Sequence, residues 1–423
     1  MTDCPAMPLS LTDADRSMLA GDYGRATALA MRVVTRTAEA MGATSLLDIE
    51  GAHVDGCLYH GRAGLDFAER LADVDGEVAV TTTLNVGSLD LLHPGLVRMP
   101  PARAAHARRL MDAYVALGCR PTWTCAPYQL PARPRFGAQL AWAESNAIVF
   151  ANSVLGARSE RYGDFMDIAC AISGRAPAVG LHTDAGRRAT LVVRVEGVPE
   201  RIGVSTAGLG ALGHVLGKRI GNHVPVIVGL PPGLPEDGLK ALGAAAASSG
   251  AAGLLHVVGS TPEAPTIDAV VTGRLDEIRI DLEDLRLGRD ELTTTGAREL
   301  GAVCLGTPHA SVRELLALAA AVEEHGPPVV PMYVNTSRAV LEALGEAASS
   351  LEGAGVRVVT DTCTYLTPIL GGIDGSVMTD SAKWAWYAPG NLGFDVVFGT
   401  TDECVRSAAD GRIQRDDRFW DAG

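Results

Sequence analysis

The 423-residue chain carries 36 Lys and Arg against 50 Asp and Glu, a formal net charge of −14, which excludes a general electrostatic role on nucleic acid or anionic membranes. With 47% hydrophobic and 20% charged residues it can bury a large core, so it is neither a disordered chain nor a mini-protein held by disulfides. The length predicts two to three domains at about 150 residues each.

The N-terminus is acidic where a secretory signal would be basic, and no run approaches the ~20 apolar residues of a membrane span, which predicts a soluble cytoplasmic protein with reduced cysteines. Helical spacing predicts a helix over 26–41, stopped at Gly42. A strand over 45–49 runs into the polar loop Glu50-Gly51-Ala52-His53-Val54-Asp55-Gly56, and the β-branched run from Val78 leads to Asn85-Val86-Gly87. Strands that end in polar loops and lead into helices predict an α/β fold with its chemistry at strand ends. Strand-like runs over 190–195, 224–228, 253–258 and 267–271, with a helix over 238–249, form a second lobe. A helix over 311–324, a strand over 329–334, a helix over 338–351 and a strand over 356–359 form a third. The short connections predict three α/β lobes packed around a central cleft, spanning 8–190, 191–294 and 295–408, with a charged tail over 409–423.

Gly208-Leu209-Gly210-Ala211-Leu212-Gly213 spells G-x-G-x-x-G, the basis of a competing nicotinamide oxidoreductase reading. The following strand ends in Gly229-Leu230-Pro231-Pro232, without the acidic residue that would hold a ribose. Ser381-Ala382-Lys383 hints at a Ser/Lys hydrolase but is too short to stand alone. The eight cysteines form no C-x-x-C pair, which disfavours a zinc ribbon. Cys119, Cys170 and Cys404 sit at helical positions and Cys4 near the terminus, where they read as core residues or idle thiols; Cys57 is ambiguous. Cys125, Cys304 and Cys363 stand instead at loops or strand ends amid Thr, Gly and Pro. Three thiolates converging there could hold an iron–sulfur cluster with one iron open to substrate; three unrelated cysteines is the alternative.

In Trp142-Ala143-Glu144-Ser145-Asn146-Ala147-Ile148-Val149-Phe150-Ala151-Asn152-Ser153-Val154-Leu155-Gly156-Ala157-Arg158, Ser145 and Asn152 fall seven apart, as do Asn146 and Ser153, so each pair shares a helix face. Uncharged hydrogen-bonding side chains on an apolar helix suit a buried polar site or packing against another lobe. This segment closely resembles the signature of the large, catalytic part of the aconitase X family. So do the His53 loop, the Thr122 to Tyr128 loop, Gly306-Thr307-Pro308-His309, Asp361-Thr362-Cys363 and Thr379-Asp380-Ser381-Ala382-Lys383, in order over nearly the whole chain.

The resemblance implies an aconitase-like fold, a [4Fe-4S] or [2Fe-2S] cluster on Cys125, Cys304 and Cys363, and dehydration of a small β-hydroxy acid. It implies that His53, Ser145, Asn146 and Lys383 bind or polarise substrate, Lys383 at its carboxylate, with Asn85, Arg158 and His309 as further substrate contacts. Single-chain members of the family carry a swivelling domain whose serine-rich loop supplies the catalytic base. This sequence ends instead in a charged tail, so a separate small subunit is expected, and the large chain alone is expected to be inactive or nearly so. The family dehydrates cis-3-hydroxy-L-proline to Δ1-pyrroline-2-carboxylate in bacteria and mevalonate 5-phosphate in archaea. The motifs show isolated basic residues rather than a phosphate-binding cluster, and the lysine-poor composition is that of a GC-rich bacterial gene; both favour hydroxyproline.

Overall fold

A parallel sheet is covered on both faces by its crossover helices, so its strands read as β-branched and apolar. Three such sheets organise the chain in a computed structural model that describes residues 8–422; Cys4 lies outside the described residues. The first lobe has the strand order Thr81–Leu84, Gly51–Val54, Leu140–Trp142, all parallel, and a separate antiparallel pair, Leu46–Asp48 with Arg175–Pro177. The middle lobe has the order His256–Val257, Pro225–Val228, Leu191–Val195, Glu277–Ile280. The third has five parallel strands in the order Val356–Val359, Met332–Thr336, Leu300–Ala310, Ser376–Thr379, Val396–Phe398.

The helix expected over 26–41 spans Arg25–Ala40 and buries Ala26, Ala30, Met31, Val34 and Ala38 on one face. Three expectations change. The run 267–271 is not a strand but a 3-10 turn at Ile267–Ala269, whose Ile267, Val270 and Val271 cluster with Val192 and Val226 of the middle sheet. The helix expected over 338–351 is two, Arg338–Leu344 and Glu346–Gly353, broken where Gly345 takes φ +60°. The tail is not simply a charged extension, because Trp420 is buried in the largest core cluster with the Arg289 guanidinium 5.4 Å from its ring.

The glycine motif also reads differently in three dimensions. Gly208 to Gly213 lie inside the helix Thr206–Arg219 rather than in a loop after a strand. A Cβ at Gly213 would stand 2.2 Å from the Leu242 carbonyl oxygen of the helix Glu236–Ser249. These glycines let two helices touch backbone to backbone, so no phosphate cradle exists here and the dinucleotide reading fails.

Side chains lock the first lobe against the other two. Asp90 accepts from the Thr360 N–H at 2.9 Å and its hydroxyl at 3.0 Å. Asp361, fully buried, binds the Arg338 guanidinium through both oxygens and accepts from the Leu91 N–H at 3.1 Å. Asn152 reaches the Gly253 carbonyl at 2.9 Å, and Ser153 accepts from the Leu255 N–H at 2.9 Å. The C-terminal strand ends of the first and third lobes are thereby fixed around a shared interior, the position where open α/β sheets carry their chemistry.

Candidate active site

The polar residues of this interior lie at the C-terminal end of a parallel strand or just beyond it. His53 is the penultimate residue of Gly51–Val54, Asn85 follows Thr81–Leu84, and Glu144 follows Leu140–Trp142. From the third lobe, His309 stands at the end of Leu300–Ala310, Cys363 follows Val356–Val359, and Lys383 follows Ser376–Thr379.

Cys125, Cys363 and His309 form one buried group whose ligating atoms lie within 4.8 Å of one another. The His309 N–H donates to Cys125 Sγ at 3.3 Å. On the ring, Nε2 lies 3.2 Å from the Thr362 carbonyl, which can only accept, so Nε2 carries the proton and Nδ1, 3.0 Å from the Thr124 hydroxyl, keeps its lone pair. Burial pushes the His309 imidazolium down to about 4, opposed by the Thr362 carbonyl, so the ring is neutral at physiological pH. The neighbouring Cys125 thiol, and then burial, hold the Cys363 thiol well above the usual range; a bound cation reverses that by replacing the shared proton. Two thiols and a neutral imidazole, enclosed and with ligating atoms this close together, are a donor set that could hold iron or zinc.

The structure departs here from the expected ligands. The third member of the group is a His309 nitrogen, which could serve as a donor, and Cys304 does not lie within that distance of the others. Cys304 is fully buried on the ladder of Leu300–Ala310 beside Tyr333, with its thiol pushed up by burial against the pull of the Thr364 hydroxyl. Between Cys304 and His309 the ladder shifts register and Gly306 takes φ +75°, and that irregularity carries His309 out to the group. Cys57 is a core thiol whose Sγ donates to the Asn85 carbonyl at 3.2 Å. Cys119, Cys170 and Cys404 are likewise buried, with thiols raised by burial.

Beside the sulfur–nitrogen group lies a buried ion pair that the sequence reading missed. Lys383 Nζ contacts Glu144 Oε1. Burial alone would lower the Lys383 ammonium, but the Glu144 carboxylate holds it well above the usual lysine range. Glu144 also caps the helix Ser145–Phe150 by accepting from the Ala147 N–H at 2.8 Å, and it receives the Asn146 amide and, at 3.5 Å, the Ser145 hydroxyl. Asn146 donates to the Cys125 carbonyl at 2.9 Å and accepts from the Tyr128 hydroxyl at 2.7 Å. Ser381 caps the next helix by accepting from the Trp384 N–H at 3.0 Å and donates to the Thr307 carbonyl, which leaves it no role as a nucleophile.

His53 is fully buried, with Nδ1 2.8 Å from the Thr83 hydroxyl, and burial pushes its imidazolium down to about 3. Its Nε2 and Asn85 Oδ1 are buried without a hydrogen bond of good geometry among the described residues, although the Thr124 backbone and the Asn85 side chain stand near enough to the ring to oppose the effect of burial. Three expected polar residues are engaged elsewhere. Arg158 pairs with Asp184 and donates to the His182 carbonyl at 3.2 Å. Asn152 and Ser153 bind the middle lobe, because the helix Ser145–Phe150 passes into a π turn at Ala151–Leu155 and rotates them off the Ser145 and Asn146 face.

Behind His309, its carbonyl accepts from Gln129 Nε2 at 3.0 Å and from Lys240 Nζ at 3.3 Å, while Lys240 also contacts Glu314. Lys240→Met removes a donor from the backbone that aims the imidazole and leaves Glu314 unpaired. It is expected to cost about 1–3 kcal/mol of stability and to weaken metal binding by roughly 10–100-fold, read by thermal melts and metal titration; unchanged affinity would show that Gln129 suffices.

Three parallel sheets enclosing a buried sulfur and nitrogen donor group beside a carboxylate–ammonium pair define an aconitase-like α/β protein. The chain belongs to the aconitase X family: residues 8–185, 189–290 and 300–410 match its first, second and third domains. A cis-3-hydroxy-L-proline dehydratase of Pseudomonas aeruginosa is 42% identical over 409 residues, covering 94% of this chain and 70% of that protein. A protein of the same name from Hypocrea jecorina is 38% identical, covering 96% and 69%. A phosphomevalonate dehydratase large subunit of Methanothermobacter thermautotrophicus is 36% identical, covering 95% and 100%. The crystal structure of Thermococcus kodakaraensis aconitase X in its holo form superposes with a TM-score of 0.85 at 32% identity, covering 95% of this chain and all of that one. Among the described residues no helix is long and apolar enough to cross a membrane.

Proposed function

We propose that the chain is the large subunit of an iron–sulfur hydro-lyase that dehydrates cis-3-hydroxy-L-proline to Δ1-pyrroline-2-carboxylate. The observation that carries the substrate is the charge of the interior. The basic residues that line the cleft are already paired, Lys383 with Glu144, Lys240 with Glu314 and Arg313 with Asp237, an arrangement that suits a small imino acid whose one carboxylate is met by the Lys383 ammonium. A phosphate dianion would need an unpaired cluster of Arg or Lys, which these three pairs do not supply. The resemblance to two cis-3-hydroxy-L-proline dehydratases supports the same reading. The competing reading, mevalonate 5-phosphate dehydration, draws on the full-length match to an archaeal large subunit, and that match also supports a separately encoded small subunit that brings the base.

In this reading Cys125, Cys363 and His309 hold the iron–sulfur group. When bound, that group supplies Lewis acidity at the substrate's oxygens. The chain's own residues do the rest. Lys383, kept charged by Glu144, binds the substrate carboxylate. Ser145 and Asn146 hold Glu144 in place, and the open His53 Nε2 and Asn85 Oδ1 offer an acceptor or donor to the ring ammonium and hydroxyl.

The test is anaerobic co-purification with the small subunit, reconstitution with iron and sulfide, visible and EPR spectra, and assay on both acids. Turnover of cis-3-hydroxy-L-proline with little on mevalonate 5-phosphate is expected. The reverse preference would overturn the substrate, and absence of bound iron after reconstitution would overturn the cofactor.

A further inference from the structure

Dehydration expels hydroxide from carbon, and a proton delivered to the departing oxygen lowers that barrier. Asp90 and Asp361 are taken up by the contacts between lobes and Asp164 is exposed; of the carboxyl groups near the interior that remain, Glu144, Asp167 and Asp55 are separated by their hydrogen bonds. Both Glu144 oxygens are occupied, one by Lys383 and Ser145, the other by the Ala147 N–H and Asn146. Asp167, fully buried, accepts backbone N–H groups from Asp55 at 2.8 Å, Gly56 at 3.5 Å and Ile168 at 2.7 Å, so it fixes the loop after Gly51–Val54. Asp55 differs. Its backbone is pinned by Asp167, Oδ1 accepts from Asn85 Nδ2, and Oδ2 makes no hydrogen bond to the described residues. It is half-buried at the strand end, two residues after His53, and bonded to the Asn85 amide, whose Oδ1, like His53 Nε2, has no hydrogen bond of good geometry among the described residues.

We propose that Asp55 is the proton donor to the departing hydroxyl of the substrate. The inference rests on the hydro-lyase reading. As the base removes the carbon-bound proton, that electron pair forms the double bond and the carbon–oxygen bond breaks onto oxygen. The Asp55 O–H proton moves to that oxygen and water leaves. Asp55 remains as carboxylate and is reprotonated from solvent before the next turnover.

The surroundings keep the proton in place until then. Burial, and next the charge of Glu144, push the Asp55 carboxyl up to about 7; the Asn85 amide pulls the other way, Asp164 adds to the rise and Lys383 opposes it. Asp167 behind it is raised to about 7 by burial and Asp164. A substantial fraction of Asp55 is therefore protonated near neutral pH. Because the charged form is the inactive one for donation, kcat/KM is expected to fall as pH rises through about 7.

The experiment uses the iron-loaded chain with its small subunit. Asp55→Asn is expected to lose roughly 10²–10⁴-fold in kcat on the hydroxy acid, to keep its iron content, and to lack the alkaline limb. On 3-chloro-L-proline, whose leaving group needs no proton, Asp55→Asn should stay within about tenfold of wild type. Wild-type kcat on the hydroxy acid, or equal losses on both substrates with iron intact, would overturn the proposal. If Asp55→Asn does not fold, Asp55→Glu is read instead: an alkaline limb displaced from the wild-type position supports the assignment, and an unmoved limb overturns it. Failure of the underlying reading looks different, since the loaded wild-type complex would then turn over neither hydroxy acid.

Discussion

Cys363→Ser is expected to leave a folded chain without its metal and without activity. Serine nearly matches cysteine in shape, and Cys363 is 1% exposed in a packed interior, so the fold should survive. The hydroxyl is a hard donor that does not deprotonate near neutral pH, whereas the site's other donors, Cys125 Sγ and a neutral His309 nitrogen, are soft. Losing a partner of a ligand already costs roughly 10–100-fold in metal affinity, and losing the ligand should cost more. Iron per chain and the visible spectrum measure the loss directly, with circular dichroism as the fold control. Cys304→Ala is the contrast. It removes a buried thiol outside the group, so iron content should hold; iron lost equally in both variants would restore Cys304 to the ligand set.

Lys383→Met is expected to be the most damaging single change to the site's charge balance. It leaves the Glu144 carboxylate, 5% exposed, without its cation, and breaking one partner from a buried pair costs about 3–5 kcal/mol. Glu144 also caps the helix that carries Ser145 and Asn146 and orients Asn146 toward the Cys125 carbonyl, so the damage extends to the wall of the metal group. The Lys383→Met, Glu144→Gln double variant removes both charges and should recover a large part of the stability without recovering activity. Denaturant midpoints of the two singles and the double measure the coupling. A double variant no more stable than Lys383→Met would show that the ammonium acts through something other than Glu144.

How much of this was legible in the sequence differs from residue to residue. The α/β class followed from β-branched runs that end in polar loops, because period and turn chemistry are local properties of the chain. Cys125 and Cys363 stood out locally as thiols at loops or strand ends, and Ser145 and Asn146 as uncharged polar residues on an apolar helix, whereas His53 and Lys383 entered only through the resemblance to the aconitase X motifs. Glu144 was printed within that motif yet carried no signal, since a carboxylate at a helix start reads as an ordinary cap until a lysine 239 positions away is brought against it. The face shared by Ser145 and Asn152 assumed a uniform helical period, and the π turn at Ala151–Leu155 broke it.

The sequence by itself determined the strand-end chemistry, the supply of thiols and the acidic character of the chain, because these depend on residue type and near neighbours. Only the tertiary structure decided which donors meet. Cys304 and His309 lie five residues apart on one strand, and a register shift at Gly306 leaves the thiol in the core and sends the imidazole to Cys125 and Cys363. Such a choice depends on packing against Asn335 on the neighbouring strand, whose carbonyl oxygen would stand 2.3 Å from any Cβ at Gly306. The raised Asp55 carboxyl is of the same kind, because burial between packed elements, and next the Glu144 carboxylate at the neighbouring strand end, make it keep its proton.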